Sequence, residues 1–394
     1  MIIPNMHYAE LKNSYLFYNI AQKTKAYLAE HPDSRLYRLG IGDVTLPLCD
    51  AVIKALHEAV DDQADLKRFH GYMPECGDPS LRALIAGHYR KRGIALEDDE
   101  VFVSSGASDE LGDILHLFDR QSSALVIEPA YPAYVDANVM EGRTIVHLPS
   151  GKADAFLPEP SESAKAGLLY ICSPNNPTGA VFSREKLQKW IDFANANGSV
   201  ILFDAAYEAF IEDETLPRSI FELEGARTCA IEICSLSKTA GFTGTRFGYT
   251  VIPKDLVRNG MSFNEMWVRN RTTRTNGVSY ILQKAAAAVF TEEGQKQIAE
   301  NIHFYKENAR ILTEALDEAG IWYTGGKNAP YIWMECPDGM DSWKFFDYLL
   351  QEIQVVGTPG EGFGSCGEGY FRFSTFGSRE DTLEAAKRIK RLFR

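Results

Sequence analysis

The sequence predicts an α/β fold: a large domain built on a mostly parallel sheet, with a smaller α+β domain beside it. In the middle of the chain, short and nearly continuous apolar runs alternate with polar turns and helical patterns, as in parallel sheets covered on both faces. From about residue 275 the pattern changes to a long helical stretch and then to separate strand-like and helix-like segments. We therefore expect residues 1–45 to form an N-terminal arm and part of the small domain, 46–274 the large domain, and 275–394 the small C-terminal domain.

The predicted strands of the large domain each end at a turn or a polar residue. They span residues 101–103, 124–127, 167–172, 199–203, 229–234 and 247–252. After Ser183, a residue type that favours helix N-termini, apolar side chains recur at helical spacing. These side chains are Leu187, Trp190, Ile191 and Ala194.

The C-terminal part contains four shorter segments with recognisable patterns. The segments "YIWMEC" and "GYFRFSTF" resemble strands, whereas "SWKFFDYLLQEI" and "REDTLEAAKRIKRLF" resemble helices. The glycine-rich "GEGFG" at 360–364 lacks the Gly-Lys-Ser/Thr ending of a nucleotide-binding P-loop. We therefore interpret it as a tight structural loop.

Composition and charge argue against several classes of protein. Hydrophobic residues make up 45% and charged residues 24% of the 394 residues, and the net charge of −13 argues against a nucleic acid partner. The seven cysteines show no CxxC spacing and the eight histidines no HExxH motif, which favours free thiols in a reducing compartment and argues against a metal site. No signal-peptide pattern opens the sequence, and no apolar run reaches the roughly 18 residues of a membrane span. We expect a cytoplasmic protein.

Polar segments gather where the predicted strands end. "SSGASDE" follows the strand at 101–103, and "SPNNPTG" follows the strand at 167–172. Asp204 follows the next strand, and "SLSK" the one after it. Because ligands of open α/β sheets bind beyond the carboxyl ends of the strands, these segments predict one shared site.

The segment "SLSKTAGFTGTR" at 235–246 places a lysine among hydroxyl and guanidinium groups. Ser235, Ser237 and Arg246 offer the donors that hold a phosphate dianion. Between them, Lys238 could form a Schiff base with an aldehyde once its pKa falls. A phosphate and an aldehyde together describe pyridoxal 5'-phosphate; the alternative is a lysine exposed to solvent.

Pyridoxal phosphate requires further partners, and the strand ends offer candidates. Asp204 could pair with the ring nitrogen, and Asn176 and Tyr207 could contact the phenolic oxygen. "SGAS" around Gly106–Ser108 opens a predicted helix, whose N-terminus attracts anions, and Tyr131 could stack on the ring. Each candidate has a simpler alternative: a strand-end aspartate, a turn asparagine or a core tyrosine. Their shared position at strand ends favours the joint interpretation.

Several segments resemble the fold-type I, class I/II pyridoxal-phosphate aminotransferases, and within them the enzymes that act on LL-diaminopimelate. "SPNNPTG", "DAAY" and "SLSKTAGFTGTRFG" carry the resemblance to the superfamily. The narrower resemblance covers nearly the whole chain. It is carried by "NSYLF", "IGDVTLPL", "FHGYMPECG", "YPAYVDANVM", "TNGVSYI", "APYIW", "VVGTPGEGFG" and "GEGYFRFSTFGSRE".

The resemblance implies a set of residue roles. Lys238 forms the internal aldimine and moves the proton, and Asp204 pairs with the pyridinium nitrogen. The other implied cofactor-binding residues are Tyr72, Ala107, Ser108, Tyr131, Asn176, Tyr207, Ser235, Ser237 and Arg246. The implied substrate-binding residues are Tyr15, Gly42, Glu75, Tyr131, Asn176, Asn276 and Arg372.

Three of these implied roles concern the substrate and the assembly. Arg372 would clamp the α-carboxylate, and Glu75 would face the distal ammonium of the substrate. Tyr72 would reach the phosphate of the neighbouring subunit, so the resemblance implies a homodimer with shared active sites. Two segments depart from the family's usual pattern: "GYMPECG" carries Met73 and Cys76, and "SGASDE" has Ser108 in place of a lysine.

The implied reaction interconverts LL-2,6-diaminopimelate and 2-oxoglutarate with tetrahydrodipicolinate and L-glutamate, a step of lysine biosynthesis. A related aminotransferase for alanine, aspartate or aromatic amino acids is the first alternative, and a pyridoxal-phosphate lyase of the same fold is a second. A non-catalytic sensor of this fold is a third. Since the sequence carries both Lys238 and Asp204 and no basic N-terminal helix-turn-helix pattern, we favour the enzyme.

Overall fold

Strands and helices alternate through the middle of the chain, and the computed structural model describes residues 2–11, 16–40 and 42–393. The described strands are β1 (Tyr37–Arg38), β2 (Val101–Ser104), β3 (Ala124–Glu128), β4 (Ile145–Pro149), β5 (Leu168–Cys172), β6 (Val200–Asp204), β7 (Ala230–Ser235), β8 (Gly248–Val251), β9 (Val257–Arg258), β10 (Met261–Ser262), β11 (Tyr323–Gly325), β12 (Tyr331–Glu335), β13 (Val355–Val356), β14 (Thr358–Pro359) and β15 (Tyr370–Ser374). The described α-helices are α1 (Leu16–Glu30), α2 (Asp50–Ala64), α3 (Pro79–Lys91), α4 (Ala107–Asp113), α5 (Ala133–Met140), α6 (Arg184–Asn197), α7 (Leu236–Thr239), α8 (Phe263–Arg274), α9 (Tyr280–Val289), α10 (Glu292–Glu318), α11 (Ser342–Ile353) and α12 (Arg379–Leu392).

Seven strands form the central sheet, in the order β2-β8-β7-β6-β5-β3-β4. The pairs from β7 to β4 are parallel, whereas β8 is antiparallel to both of its neighbours, β2 and β7. β2 therefore runs in the same direction as β7, and six of the strands end at one edge. The predicted α/β class with a mostly parallel sheet is confirmed.

The six predicted strands are confirmed, each within one residue of its predicted limits. Strands β5, β6 and β7 are buried along their whole length, because helices cover both faces of the sheet. Strand β4 was not predicted. It lies at the edge of the sheet, where its side chains are only partly buried or exposed, so its sequence lacks a continuous apolar run.

Helix α6 forms as predicted. The Ser183 side chain caps the first turn by accepting a hydrogen bond from the backbone N–H of Lys186 at 3.3 Å. Gly198 ends the helix in a left-handed conformation, with φ of 69°, which glycine adopts without steric cost. The fully buried side chains are the four predicted ones, Leu187, Trp190, Ile191 and Ala194.

A second, antiparallel sheet with the order β11-β12-β15-β14 lies in the C-terminal part. Its strands β12 and β15, together with helices α11 and α12, correspond to the four predicted C-terminal segments. Strand β1 pairs in parallel with β13, so part of the N-terminal segment joins this region. The segment at 360–364 is a short 3-10 turn and loop, as predicted.

The buried apolar side chains form two main clusters. The first surrounds the central sheet and the second surrounds the C-terminal sheet. Helix α10 contributes to both, since Ile298, Ile302 and Tyr305 belong to the first cluster and Leu312 and Leu316 to the second. The domain limits at residues 45 and 274 stay predictions.

None of the helices in the described ranges is both long and apolar enough to cross a membrane. The seven cysteines are free thiols, and five of them are buried. The cytoplasmic location stays a prediction.

Candidate active site

The carboxyl ends of the central strands surround a cavity of about 290 Å³. Its lining includes every residue predicted to bind a cofactor except Tyr72. The lining residues are Ala107, Ser108, Leu111, Tyr131, Tyr134, Asn176, Asp204, Ala206, Tyr207, Ser235, Ser237, Lys238 and Arg246. Residues that lie far apart in the sequence thus meet in one place because six strands end at the same edge of the sheet.

A larger cavity of about 420 Å³ lies beside the first. Ser235 lines both cavities, whereas Lys238, Asp204 and Arg246 line the smaller and not the larger of the two. The candidate chemistry therefore belongs to the smaller cavity, despite its smaller volume. We refer to it as the lysine cavity.

Lys238 lies in α7, a single turn that follows directly after β7. The Ser235 side chain caps this turn by accepting from the backbone N–H of Ser237 at 3.1 Å. The pKa of Lys238 is lowered from 10.5 to about 8, mainly by burial; Asp43 opposes this shift, whereas the charges of Arg246 and Arg372 add to it. A larger fraction of this amine is therefore unprotonated near neutral pH than in an exposed lysine.

Arg246 lines the lysine cavity beside Ser237. Its Nη1 donates to Ser237 Oγ at 3.0 Å. Gly106 has a φ of 134°, and a Cβ atom built there would collide with the Arg246 guanidinium. The guanidinium thus lies against the backbone at the start of α4, beside the hydroxyls of Ser235 and Ser237. A guanidinium and two hydroxyls arranged in this way can donate hydrogen bonds to a phosphate.

Asp204, the last residue of β6, also lines the lysine cavity. Its Oδ2 accepts from the Tyr134 hydroxyl at 2.5 Å, and its Oδ1 accepts from the backbone N–H of Ala206 at 3.0 Å. Burial raises the pKa of Asp204, and the two hydrogen bonds oppose that rise because they favour the carboxylate. Tyr134 was not predicted, although it follows Tyr131 by three positions in "YPAYVD". The two rings meet edge to face, with their centroids 5.7 Å apart.

Arg372 lies on β15 of the C-terminal sheet and is 1% exposed. Its Nη1 donates to Asn176 Oδ1 at 2.5 Å, and its Nη2 donates to the Gly40 carbonyl oxygen at 2.7 Å. Asn176 Nδ2 in turn donates to the Tyr207 hydroxyl oxygen at 3.4 Å. The structure thus links the predicted carboxylate clamp to the two residues predicted to contact a phenolic oxygen.

Tyr331 also belongs to this linked group, and it was not predicted as a site residue. Its hydroxyl lies 3.0 Å from that of Tyr207, and its ring centroid lies 4.4 Å from the Arg372 guanidinium carbon. Gly42, a predicted substrate residue, lies against Tyr331, since a Cβ there would be 2.6 Å from the hydroxyl oxygen. The segment "APYIW" was the only sequence signal for Tyr331.

Three predicted residues do not line the lysine cavity but lie together on the surface. Tyr72 is 88% exposed, Asn276 is exposed, and Glu75 is half-buried. Their two loops touch, because a Cβ on Gly277 would be 2.8 Å from the Met73 carbonyl oxygen. We call these two loops, residues 71–77 and 275–277, the surface loop pair. The remaining candidate, Tyr15, lies outside the described residues.

Comparison with known proteins gives consistent results along the full chain. The family described as aminotransferase class I and II matches residues 34–389. An LL-diaminopimelate aminotransferase of Lachnospira eligens is 49% identical over 402 residues, covering 98% of this chain and 99% of the relative. One from Parabacteroides distasonis is 45% identical over 410 residues, covering 100% of both chains.

A solved structure extends the comparison to the fold. The L,L-diaminopimelate aminotransferase from Chlamydomonas reinhardtii matches with a TM-score of 0.94 at 38% sequence identity, covering 100% of this chain and 99% of that chain. The fold, the family match and the identity to full-length relatives agree. The chain belongs to the class I and II aminotransferases, within the family of the LL-diaminopimelate aminotransferases.

Proposed function

We propose that the protein transfers an amino group between LL-2,6-diaminopimelate and 2-oxoglutarate, with pyridoxal 5'-phosphate as its cofactor. The observation that carries the proposal is the lysine cavity itself, where an amine of lowered pKa lies in one enclosure with a carboxylate and an arginine-hydroxyl cluster. The substrate follows from relatives that bear this activity in their names at 45% and 49% identity over the full chain.

The donor set of the lysine cavity fits this cofactor. Arg246 and the hydroxyls of Ser235 and Ser237 would hold its phosphate, and Asp204 would face its ring nitrogen. Asn176 and Tyr207 would contact its phenolic oxygen. When bound, the cofactor supplies an aldehyde for the amine and a ring that accepts electrons from a broken C–H bond.

The side chains around it then have separate tasks. Lys238, with a pKa of about 8, can accept the proton from the substrate Cα and return it as a general acid. Asp204 holds a proton on the ring nitrogen by its negative charge. Tyr134 and the backbone N–H of Ala206 keep that carboxylate oriented. A bound cofactor and substrate would displace water from the cavity, which would strengthen these charge interactions.

Arg372 explains how two different amino acids can use one site. Both glutamate and diaminopimelate carry an α-carboxylate, and the guanidinium fork of Arg372 can bind it through two hydrogen bonds. Only diaminopimelate has a second ammonium. We propose that Glu75 recognises it, since a buried ammonium without a partner costs several kcal/mol, roughly 2–5.

We also propose a homodimer in which the surface loop pair enters the lysine cavity of the partner. Its residues Tyr72, Glu75 and Asn276 do not line the cavity of their own chain. Leu66 and Phe69, which precede this loop, are 96% and 62% exposed. Exposed apolar side chains next to polar candidates are typical of a protein interface.

Amino transfer from a series of amino acids to 2-oxoglutarate tests the proposal. We expect LL-diaminopimelate to exceed the meso isomer, alanine and aspartate by about 10-fold or more in kcat/KM, measured as glutamate formed by the purified protein with pyridoxal phosphate. Lys238→Ala should abolish multiple turnover. Lys254→Ala, which removes an exposed lysine paired with Asp99, should leave the rate unchanged.

Other outcomes would assign a different function. Faster turnover of alanine, aspartate or an aromatic amino acid would indicate a related aminotransferase of the same class. Bound cofactor without turnover of any amino acid and keto acid pair would indicate a sensor. Full activity of Lys238→Ala would remove this residue from the mechanism.

A further inference from the structure

Tyr331 contacts both ends of the hydrogen-bonded group that connects the substrate clamp to the lysine cavity. It is 1% exposed and begins strand β12. Its ring faces Arg372, and its hydroxyl faces that of Tyr207. Arg372, Asn176, Tyr207 and Tyr331 therefore form a closed ring of contacts.

The Arg372 guanidinium packs against two aromatic rings. Its central carbon lies 4.4 Å from the ring centroid of Tyr331 and 4.9 Å from that of Phe363. A guanidinium over an aromatic face is stabilised by the ring quadrupole, and the effect is larger where water is excluded. The two rings thereby fix the plane in which the fork can meet a carboxylate.

The orientation of the Asn176 amide follows from the chemistry of Arg372. A guanidinium can only donate hydrogen bonds, so the Asn176 atom at 2.5 Å from Nη1 is the carbonyl oxygen. The amide nitrogen must then face Tyr207, to whose oxygen it donates at 3.4 Å. Tyr207 therefore uses one of its two lone pairs to accept from Asn176.

Either Tyr207 or Tyr331 could donate the hydrogen bond between their two hydroxyls. Burial raises the pKa of Tyr207 and of Tyr331, so both are protonated at neutral pH and each has a single hydrogen. If Tyr207 donated to Tyr331, its hydrogen would point away from the lysine cavity. If Tyr331 donates, Tyr207 accepts twice and keeps its own hydrogen for a ligand in the cavity.

We infer that Tyr331 is a positioning residue: its hydroxyl donates to Tyr207, leaving the Tyr207 hydrogen for the phenolic oxygen of the cofactor, and its ring orients Arg372. The inference rests on the proposed function, which assigns Tyr207 and Arg372 their ligands. One side chain thus orients a group at the cofactor and a group at the substrate carboxylate.

The surroundings of Tyr331 leave it little freedom. A Cβ on Gly42 would lie 2.6 Å from its hydroxyl oxygen, and Cβ atoms on Gly179 and Gly325 would crowd its backbone carbonyl oxygen. Gly326 N–H donates to the same carbonyl at 2.8 Å. The backbone is therefore fixed on one side and the hydroxyl on the other, as a positioning role requires.

The hydroxyl is tested by a pH titration of the absorbance of the bound cofactor. A hydrogen bond donated to the phenolic oxygen favours its unprotonated form, and Tyr207 donates more strongly when it accepts from two groups. The midpoint of this titration is the pH at which half of the bound cofactor has lost its proton. We expect Tyr331→Phe to raise this midpoint by about 0.3 pH unit and Tyr207→Phe to raise it by roughly 1–2 units. The double variant should match Tyr207→Phe alone, since Tyr331 acts through Tyr207.

The ring is tested by the KM values of glutamate and LL-diaminopimelate. Tyr331→Phe retains the ring and should leave both within about 2-fold, whereas Tyr331→Leu should raise both roughly 10-fold with a smaller loss in kcat. Tyr89→Phe is the control for loss of a buried hydroxyl, since Tyr89 donates to Glu232. Tyr89→Phe should lower the melting temperature and leave the midpoint of the absorbance titration unchanged.

The outcomes separate this inference from the proposed function. A wild-type protein that binds and turns over but shows no midpoint shift in Tyr331→Phe overturns the inference alone. Additive shifts in the double variant overturn it as well, because Tyr331 would then act without Tyr207. Unchanged KM values in Tyr331→Leu overturn the orientation of Arg372. A wild-type protein without cofactor absorbance contradicts the proposed function, and this inference with it.

Discussion

The Lys238 amine illustrates how one residue can be made reactive at the expense of stability. Burial lowers its pKa from 10.5 to about 8, because the charged form loses its hydration in the cavity. In the unfolded chain the amine would keep its proton up to about pH 10.4. Between these two values the unfolded state binds more protons than the folded state, so this group makes stability rise with pH.

We predict that Lys238→Met stabilises the cofactor-free protein below about pH 8. There the buried charge is fully present in the wild type and absent from the variant. The stability advantage of the variant should shrink as pH rises toward 10, because the wild-type Lys238 then also becomes uncharged. Denaturant unfolding of both proteins at several pH values measures it. Stability curves that stay parallel across this range would show that Lys238 is not buried as a charge.

At the scale of single residues, the sequence indicates the strand-end groups but not their neighbours from other elements. Lys238, Asp204 and Asn176 could be predicted because each follows an apolar strand. Tyr134 and Tyr331 could not, since their hydrogen bonds to Asp204 and Tyr207 depend on how α5 and β12 pack against the sheet. These contacts join residues 70 and 124 positions apart, and no local pattern predicts them.

At the scale of elements, the connection between β2 and α4 explains why the start of the phosphate cluster is a glycine. Gly106 combines a φ of 134° with direct contact to the Arg246 guanidinium. A side chain at this position would both strain the backbone and displace the arginine. The glycine is therefore needed for the geometry of the site as well as for the turn.

We predict that Gly106→Ala weakens pyridoxal phosphate binding by about 10-fold or more, because Arg246 loses its position for a charge-assisted hydrogen bond. Gly93→Ala is the matched control. Its φ is 81°, and a Cβ there has no neighbour within 4 Å, so it should cost about 1–2 kcal/mol of stability and leave affinity unchanged. Equal affinities for the two variants, measured by fluorescence titration, would contradict this role of Arg246.

The elements of the central sheet show where sequence patterns stop being informative. Buried strands such as β5 and β6 are continuous apolar runs, so their positions are predictable. The place of β8 between β2 and β7 is not, because strand order depends on long connections and not on the strands themselves. An edge strand such as β4, with partly exposed side chains, escapes a search for apolar runs.

At the scale of the whole molecule, the proposed dimer makes each active site depend on two chains. Glu75 would serve the lysine cavity of its partner, whereas Lys238 serves its own chain. Each protomer alone would then lack the distal recognition group. The resemblance implies that Glu75 serves the active site of the partner subunit. The sequence pattern of a single chain carries no information about contacts between two chains.

We predict that mixing Lys238→Ala with Glu75→Gln protomers restores diaminopimelate turnover. In a heterodimer one site would carry both changes and the other neither, so about half of its sites should be normal. The mixture is assayed after subunit exchange is confirmed, and Glu75→Gln alone gives the baseline. No gain over that baseline would assign Glu75 to its own chain. Equal losses for glutamate and diaminopimelate in Glu75→Gln would remove its recognition role.

Arg372 belongs to the C-terminal sheet, yet it donates to Asn176 in the loop that follows β5 of the central sheet. A ligand whose carboxylate meets Arg372 while its other end meets the lysine cavity is therefore held by residues of both sheets, around which the two apolar clusters form. In terms of linkage, such a ligand acts as a reversible crosslink, and its binding free energy opposes unfolding of either cluster alone. Saturation with a non-reactive dicarboxylate should accordingly raise the melting temperature of the whole molecule in calorimetry.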